Sequence, residues 1–92
     1  MRYRKLPVEI WAITFEELAE HESEPTTLPV EGTPGGFWYR GHVIRRDNDR
    51  LFLIPTPEGT MGFSPDDMLI TGVQGEVYPC KKDIFNKTYE SI

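Results

Sequence analysis

Apolar residues along this chain come in short runs cut by glycine and proline, a spacing that suits strands better than long helices. Residues 8–14 (VEIWAIT) are rich in β-branched and aromatic side chains and follow Pro7. With apolar residues on both alternating faces from Ile10 to Ile13, they predict a strand covered on both sides. Thr14 and Glu17 have the spacing of a capping box, and Phe15, Leu18 and Ala19 form the apolar stripe of a short helix that ends before Pro25. Residues 25–36 (PTTLPVEGTPGG) hold three prolines and three glycines and read as a surface flap with few backbone partners, the most mobile internal segment.

Residues 37–46 and 51–54 flank Asp47-Asn48-Asp49 and predict a β-hairpin closed by Pro55 and Pro57. Residues 60–64 follow as a strand with Met61 and Phe63 on one face, and Pro65-Asp66-Asp67 make a turn. Residues 68–71 and 76–78 pair around Gly72-Val73-Gln74-Gly75, whose two glycines permit positive φ. The last residues admit either a helix face shared by Phe85 and Tyr89 or a single turn at Asp83 followed by a short edge strand. The second is preferred, because an isolated helix of this length is marginal in water. The fold class is α+β: one domain over 1–92, a compact antiparallel β-sheet or small partly open barrel with one short N-terminal helix. Its expected core is Ile10, Ala12, Leu18, Phe52, Ile54, Met61, Phe63, Ile70, Tyr78 and Phe85.

A chain of 92 residues buries only roughly 60 to 65% of its unfolded surface. Sharing surface would help so small a core, so a homo-oligomer, a dimer first, is expected. Ten basic against 15 acidic residues give a net charge of −5, which argues against a grip on duplex nucleic acid. One cysteine, Cys80, cannot close an internal disulfide, and no apolar run is long enough to cross a membrane. These features suit a reduced, cytoplasmic setting without a membrane partner. Charge is blocked: Arg2, Arg4 and Lys5 open the chain, residues 6–39 hold no Lys or Arg, and Arg40, Arg45, Arg46 and Arg50 follow. Such blocks are usually solvated faces.

No nucleophile with a base, and no phosphate loop, stands out. Glu58, Asp66, Asp67 and Glu76 could offer carboxylates to a metal, but the plainer reading has Asp67 capping its turn by accepting backbone N–H bonds. Glu17 and His21 have helix-face spacing for a metal that a Glu-rich exposed helix would show anyway. His42 and Cys80 stand alone and read as packing residues. No catalytic residue, metal or cofactor is assigned.

The most suggestive run is 37–46 (FWYRGHVIRR). Read as one strand, it places Trp38, Arg40, His42, Ile44 and Arg46 on one face. Trp38 could stack on a planar ring while Arg40 holds an attached anion; the plainer reading is a solvent face with one Trp over a core edge or dimer contact. Tyr78 and Lys81 join Trp38 and Arg40 as candidate ligand-binding residues.

Tyr3-Arg4-Lys5-Leu6-Pro7-Val8-Glu9-Ile10-Trp11-Ala12 and Thr56-Pro57-Glu58-Gly59-Thr60-Met61 carry a family resemblance, as do the runs 70–81 (ITGVQGEVYPCK) and 83–90 (DIFNKTYE). Together they resemble small tailed-phage and prophage proteins related to the group named for its Pro-Gly-Asp-Tyr-Gly motif. This chain departs at the motif's centre: Pro65-Asp66-Asp67-Met68 stands where the family has Pro-Gly-Asp and an aromatic, so Asp66 would enter the left-handed region in place of glycine. Residues 21–51 carry no signature of that family. The resemblance implies a phage or prophage origin within a bacterial host and brings no activity with it. The reading reached is a non-catalytic accessory protein that binds a host protein or a small anionic, nucleotide-like ligand. A structural or oligomerising phage protein is the alternative, and a small metal-dependent hydrolase comes last.

Overall fold

The computed structural model describes residues 1–3 and 8–91. Arg4, Lys5 and Pro7, read as preceding the first strand, lie outside the described residues. The order is β1 (Trp11–Thr14), α1 (Phe15–Ser23), β2 (Gly36–Tyr39), β3 (His42–Asn48), β4 (Leu51–Thr56), β5 (Gly59–Phe63), β6 (Asp67–Thr71), β7 (Val77–Lys81) and α2 (Lys82–Thr88). The strands form two antiparallel sheets, a small one ordered β1-β6-β7 and a large one ordered β2-β3-β4-β5, not closed into a barrel. The α+β class and the N-terminal helix hold.

Local chemistry starts α1. Thr14 Oγ1 accepts the Glu17 N–H at 3.2 Å, and a Glu17 carboxylate oxygen accepts the Thr14 N–H at 3.0 Å, a reciprocal capping box. The helix stops at its cap Glu24, before Pro25. Its buried residues Phe15 and Leu18 join Phe37, Tyr39, Ile44, Phe52, Ile54 and Phe63 of the large sheet and Ile13, Leu69 and Val77 of the small one. Phe15 and Phe52 meet with ring centres 4.9 Å apart. This core lies between the inner faces of the two sheets, with α1 beside them.

Several expectations change. The first strand runs only over Trp11–Thr14 and is not covered on both sides: β1 lies at a sheet edge and Trp11 is exposed. Of the expected core, Leu18, Phe52, Ile54, Phe63 and Ile70 are buried, while Ile10, Ala12, Tyr78 and Phe85 are half-buried. Met61 is exposed, because it shares the inner face with Ile54 but lies at the open rim of the sheet. The segment between α1 and β2 does have backbone partners. Leu28 O accepts the Trp38 N–H at 3.2 Å and Gly36 O accepts the Val30 N–H at 3.1 Å, so it docks along β2.

The C-terminal edge strand is replaced by α2, which packs on β6 and β7. Tertiary contact overrides weak local propensity there. The β6–β7 connection uses positive φ at Gly75 and not at Gly72, and Asp66 keeps to negative φ, so its turn needs no left-handed residue.

Candidate functional site

The run read as one strand, 37–46, is two strands joined by a two-residue turn. Tyr39 pairs with His42 around Arg40-Gly41, both at positive φ (48° and 81°), the I′ pattern of tight hairpins. A two-residue turn changes which residues share a face. Trp38 lies opposite Val43, and Phe37 opposite Ile44. Trp38 therefore shares no strand face with Arg40, His42, Ile44 and Arg46. The local signal for this was the glycine inside an otherwise strand-like run.

Arg40 leaves the sheet at the turn. Its guanidinium lies 5.3 Å from the centre of the Trp11 ring and 5.9 Å from that of Tyr39. Arg46 belongs to the inner face: it lies 4.3 Å from the Phe52 ring centre and pairs with Glu22 at 2.9 Å, roofing that edge of the core. The cation on Trp38's face is Arg45, which pairs with Gly36 on one side and Leu53 on the other.

With the registers set, the outer face of the large sheet consists of Trp38, Val43, Arg45, Leu51, Leu53, Pro55, Thr60 and the α-carbon of Gly62. Trp38 is 43% exposed, Pro55 and Arg45 are exposed, and Val43, Leu51 and Leu53 are half-buried. Gly62 leaves space that Leu51 fills, since a Cβ at Gly62 would stand 3.0 Å from Leu51 Cδ1. Among the described residues no helix or second sheet covers this face, and exposed Leu28 extends its apolar surface beyond Trp38. An uncovered apolar sheet face rimmed by polar residues is the form of a protein-contact surface.

Tyr78 and Lys81 lie elsewhere, on β7. Lys81 Nζ is 3.4 Å from Asp67 Oδ1, and Asp67 is itself buried. Asp67 Oδ2 accepts the Ser64 backbone N–H at 2.9 Å and the Ser64 hydroxyl at 3.1 Å, so Asp67 caps the turn into β6. Tyr78 is half-buried and its phenol is pushed up to about 12, chiefly by burial, then by the hydrogen bond and electrostatic effect of Tyr89, with Glu76 and Cys80 adding to it.

Tyr78 also lines a cleft of about 370 Å³ that includes Glu58, Met61, Glu76 and Pro79. The carboxylates grouped as Glu58, Asp66, Asp67 and Glu76 thus part company: Asp67 is buried at its turn and Glu58 and Glu76 meet at this cleft. No group of three metal-ligating side chains exists among the described residues. Glu17 is used in the helix cap, and the His21 and His42 Nε2 atoms donate to Trp38 O at 2.8 Å and Gly75 O at 2.7 Å. Cys80 Sγ is a half-buried free thiol 3.6 Å from Lys81 O.

Comparison with protein families, with curated proteins and with solved structures finds no match for this chain. The likeness to phage proteins thus stands on the motif residues quoted above alone. No helix among the described residues is long and apolar enough to cross a membrane.

Proposed function

We propose that this chain is a non-catalytic accessory protein of phage or prophage origin that acts in the cytoplasm of a bacterial host by binding a host protein through the outer face of the large sheet. The supporting observation is the exposed combination of Trp38 with Arg45 on an apolar sheet face that nothing covers among the described residues. Tryptophan and arginine are the side chains that most often dominate binding energy, and Val43, Leu51 and Leu53 would exclude water around them. A protein partner suits this face better than a small anion, because the face is broad and Arg40, the cation first paired with Trp38, stacks instead on Trp11.

A photo-crosslinking residue at position 43 tests the reading during expression in bacterial cells. One host protein should be captured, and Trp38→Ala with Arg45→Glu should abolish capture while the melting temperature stays within a few degrees. Crosslinks only between copies of the chain would replace the host-protein reading with the oligomer. A variant that loses stability together with capture would remove the face from consideration.

A further inference from the structure

We infer that the free edge of β5 accepts an added strand from a partner protein, an extended segment whose Lys or Arg side chain enters the cleft beside Met61 between Glu58 and Glu76. This contact is separate from the outer face and does not rest on the function proposed for it.

Hairpin geometry fixes which backbone groups are free. The two-residue turn Pro57-Glu58 makes Thr56 and Gly59 the closing pair, the kind that exchanges both backbone hydrogen bonds. Alternation then makes Ile54–Met61 and Phe52–Phe63 bonded pairs, and Pro55–Thr60 and Leu53–Gly62 non-bonded ones. Pro55, which has no N–H, is non-bonded toward β5, and its nitrogen faces the β3 side beyond the pair Arg45–Leu53. Thr60 and Gly62 therefore turn their N–H and C=O groups away from β4, and no described residue bonds them.

Two other rims of the sheets are blunted. Residues 28–30 cover the rim of β2, and Pro79 interrupts that of β7. The sequence of β5, Gly-Thr-Met-Gly-Phe, carries no charge and no proline, the devices that normally protect an edge. Such an edge is a template for strand addition.

Side-chain direction joins the edge to the cleft. A residue added opposite Met61 points to the same side as Met61, toward the cleft of about 370 Å³ that Met61 lines together with Glu76 and Tyr78. Its walls are Pro57, Met61, Tyr78 and Pro79, which suit an aliphatic stem. Glu58 and Glu76 stand at the cleft, no Lys or Arg lines it, and neither carboxylate has a cationic partner among the described residues. Gly72 gives the Glu76 carboxylate room, since a Cβ there would overlap Glu76 Oε1. Apolar walls with two acceptors of negative charge select a cation on a long stem and disfavour an acidic side chain.

The probe is a seven-residue peptide, Thr-Val-Thr-Lys-Thr-Val-Thr, titrated into the full chain and followed by amide NMR shifts and hydrogen exchange. The amides of Thr60 and Gly62 should shift and become protected, and the same peptide with Glu for Lys should bind roughly tenfold more weakly or less. Glu58→Gln with Glu76→Gln should close most of that gap. N-methylation of the peptide's pairing amides should abolish binding without touching the protein, so a misfolded variant cannot be mistaken for a lost site. Trp38→Ala should leave peptide binding intact, which separates this contact from the outer face. Shifts centred on Trp38, Val43 and Leu53, equal binding of the Lys and Glu peptides, or protection of Thr60 and Gly62 by a second copy without peptide would each overturn the proposal.

Discussion

On the inner face of the large sheet, Phe37, Tyr39, Ile44, Phe52, Ile54 and Phe63 keep at most 6% of their surface, while on the outer face Trp38 keeps 43%. The two sets alternate along the same strands, and apart from Arg45, Thr60 and Gly62 the outer one is apolar as well. Apolarity therefore does not decide burial here. What decides it is the covering layer: Phe15 and Leu18 from α1 and Leu69 and Val77 from the small sheet close the inner face, and nothing equivalent closes the outer one among the described residues. The difference between a core face and an exposed face lies in what the rest of the chain supplies.

Neighbouring residues on opposite faces give the largest test. Phe52→Ala should cost about 3 to 5 kcal/mol, since the ring is fully buried against Phe15, Phe37 and Phe63 and its loss leaves a cavity. Leu53→Ala, one residue on, should cost about 1 kcal/mol, because the side chain is only half-buried and its removal leaves no closed void. Urea unfolding of the two variants measures both. Similar losses would mean that the outer face is covered after all.

Polar groups sharpen the same contrast. Asp67 shares the inner face of the small sheet with Leu69 and Thr71, and it is tolerated there because Ser64 and Lys81 satisfy its carboxylate. Asp67→Ala strands the Ser64 N–H and should cost about 1 to 3 kcal/mol. Lys81→Ala should cost less than about 1 kcal/mol, since its side chain is 64% exposed and the pair is screened by water. Equal losses in the two variants would make the ion pair, rather than the turn cap, the stabilising feature.

How much of this was legible in the sequence depended on the range of the deciding interaction. The capping box of Thr14 and Glu17 and the cap by Asp67 each involve groups three residues apart, and both could be read directly. The Arg40-Gly41 turn is equally local, yet one non-glycine residue at positive φ hid it within a run that alternates plausibly as a single strand. That single turn moved Trp38 from the face of Arg40 to that of Val43 and Arg45 and hid the outer face. Phe37, Tyr39, Ile44, Leu69 and Val77 were missed as core because their burial depends on how two sheets face each other, which no local pattern encodes. The helix α2 was missed for a related reason: it is held by contacts with β6 and β7 that no local pattern encodes.

The last contrast is between the outer faces of the two sheets. By alternation Ile70 and Tyr78 point away from the shared core, yet Ile70 is buried, because α2 packs on that side of the small sheet. The Tyr78 phenol reports on this cover. Its ordinary pKa of 10.0 rises to about 12 in the fold, where burial and the Tyr89 contact disfavour the phenolate. Below pH 10 the phenol is protonated whether the chain is folded or not, and its contribution to stability is fully present. As pH rises from about 10 to about 12 the unfolded chain releases this proton before the folded one does, so stability falls through that window. Urea midpoints taken across it should decline, and the decline should shrink in Tyr78→Phe, which has no phenol to ionise. Tyr89→Phe should shift the decline only partly, because it removes the hydrogen bond and leaves the burial, the larger cause. An unchanged decline in Tyr78→Phe would show that Tyr78 titrates as it does in water, and α2 would then leave this face as open as the one bearing Trp38.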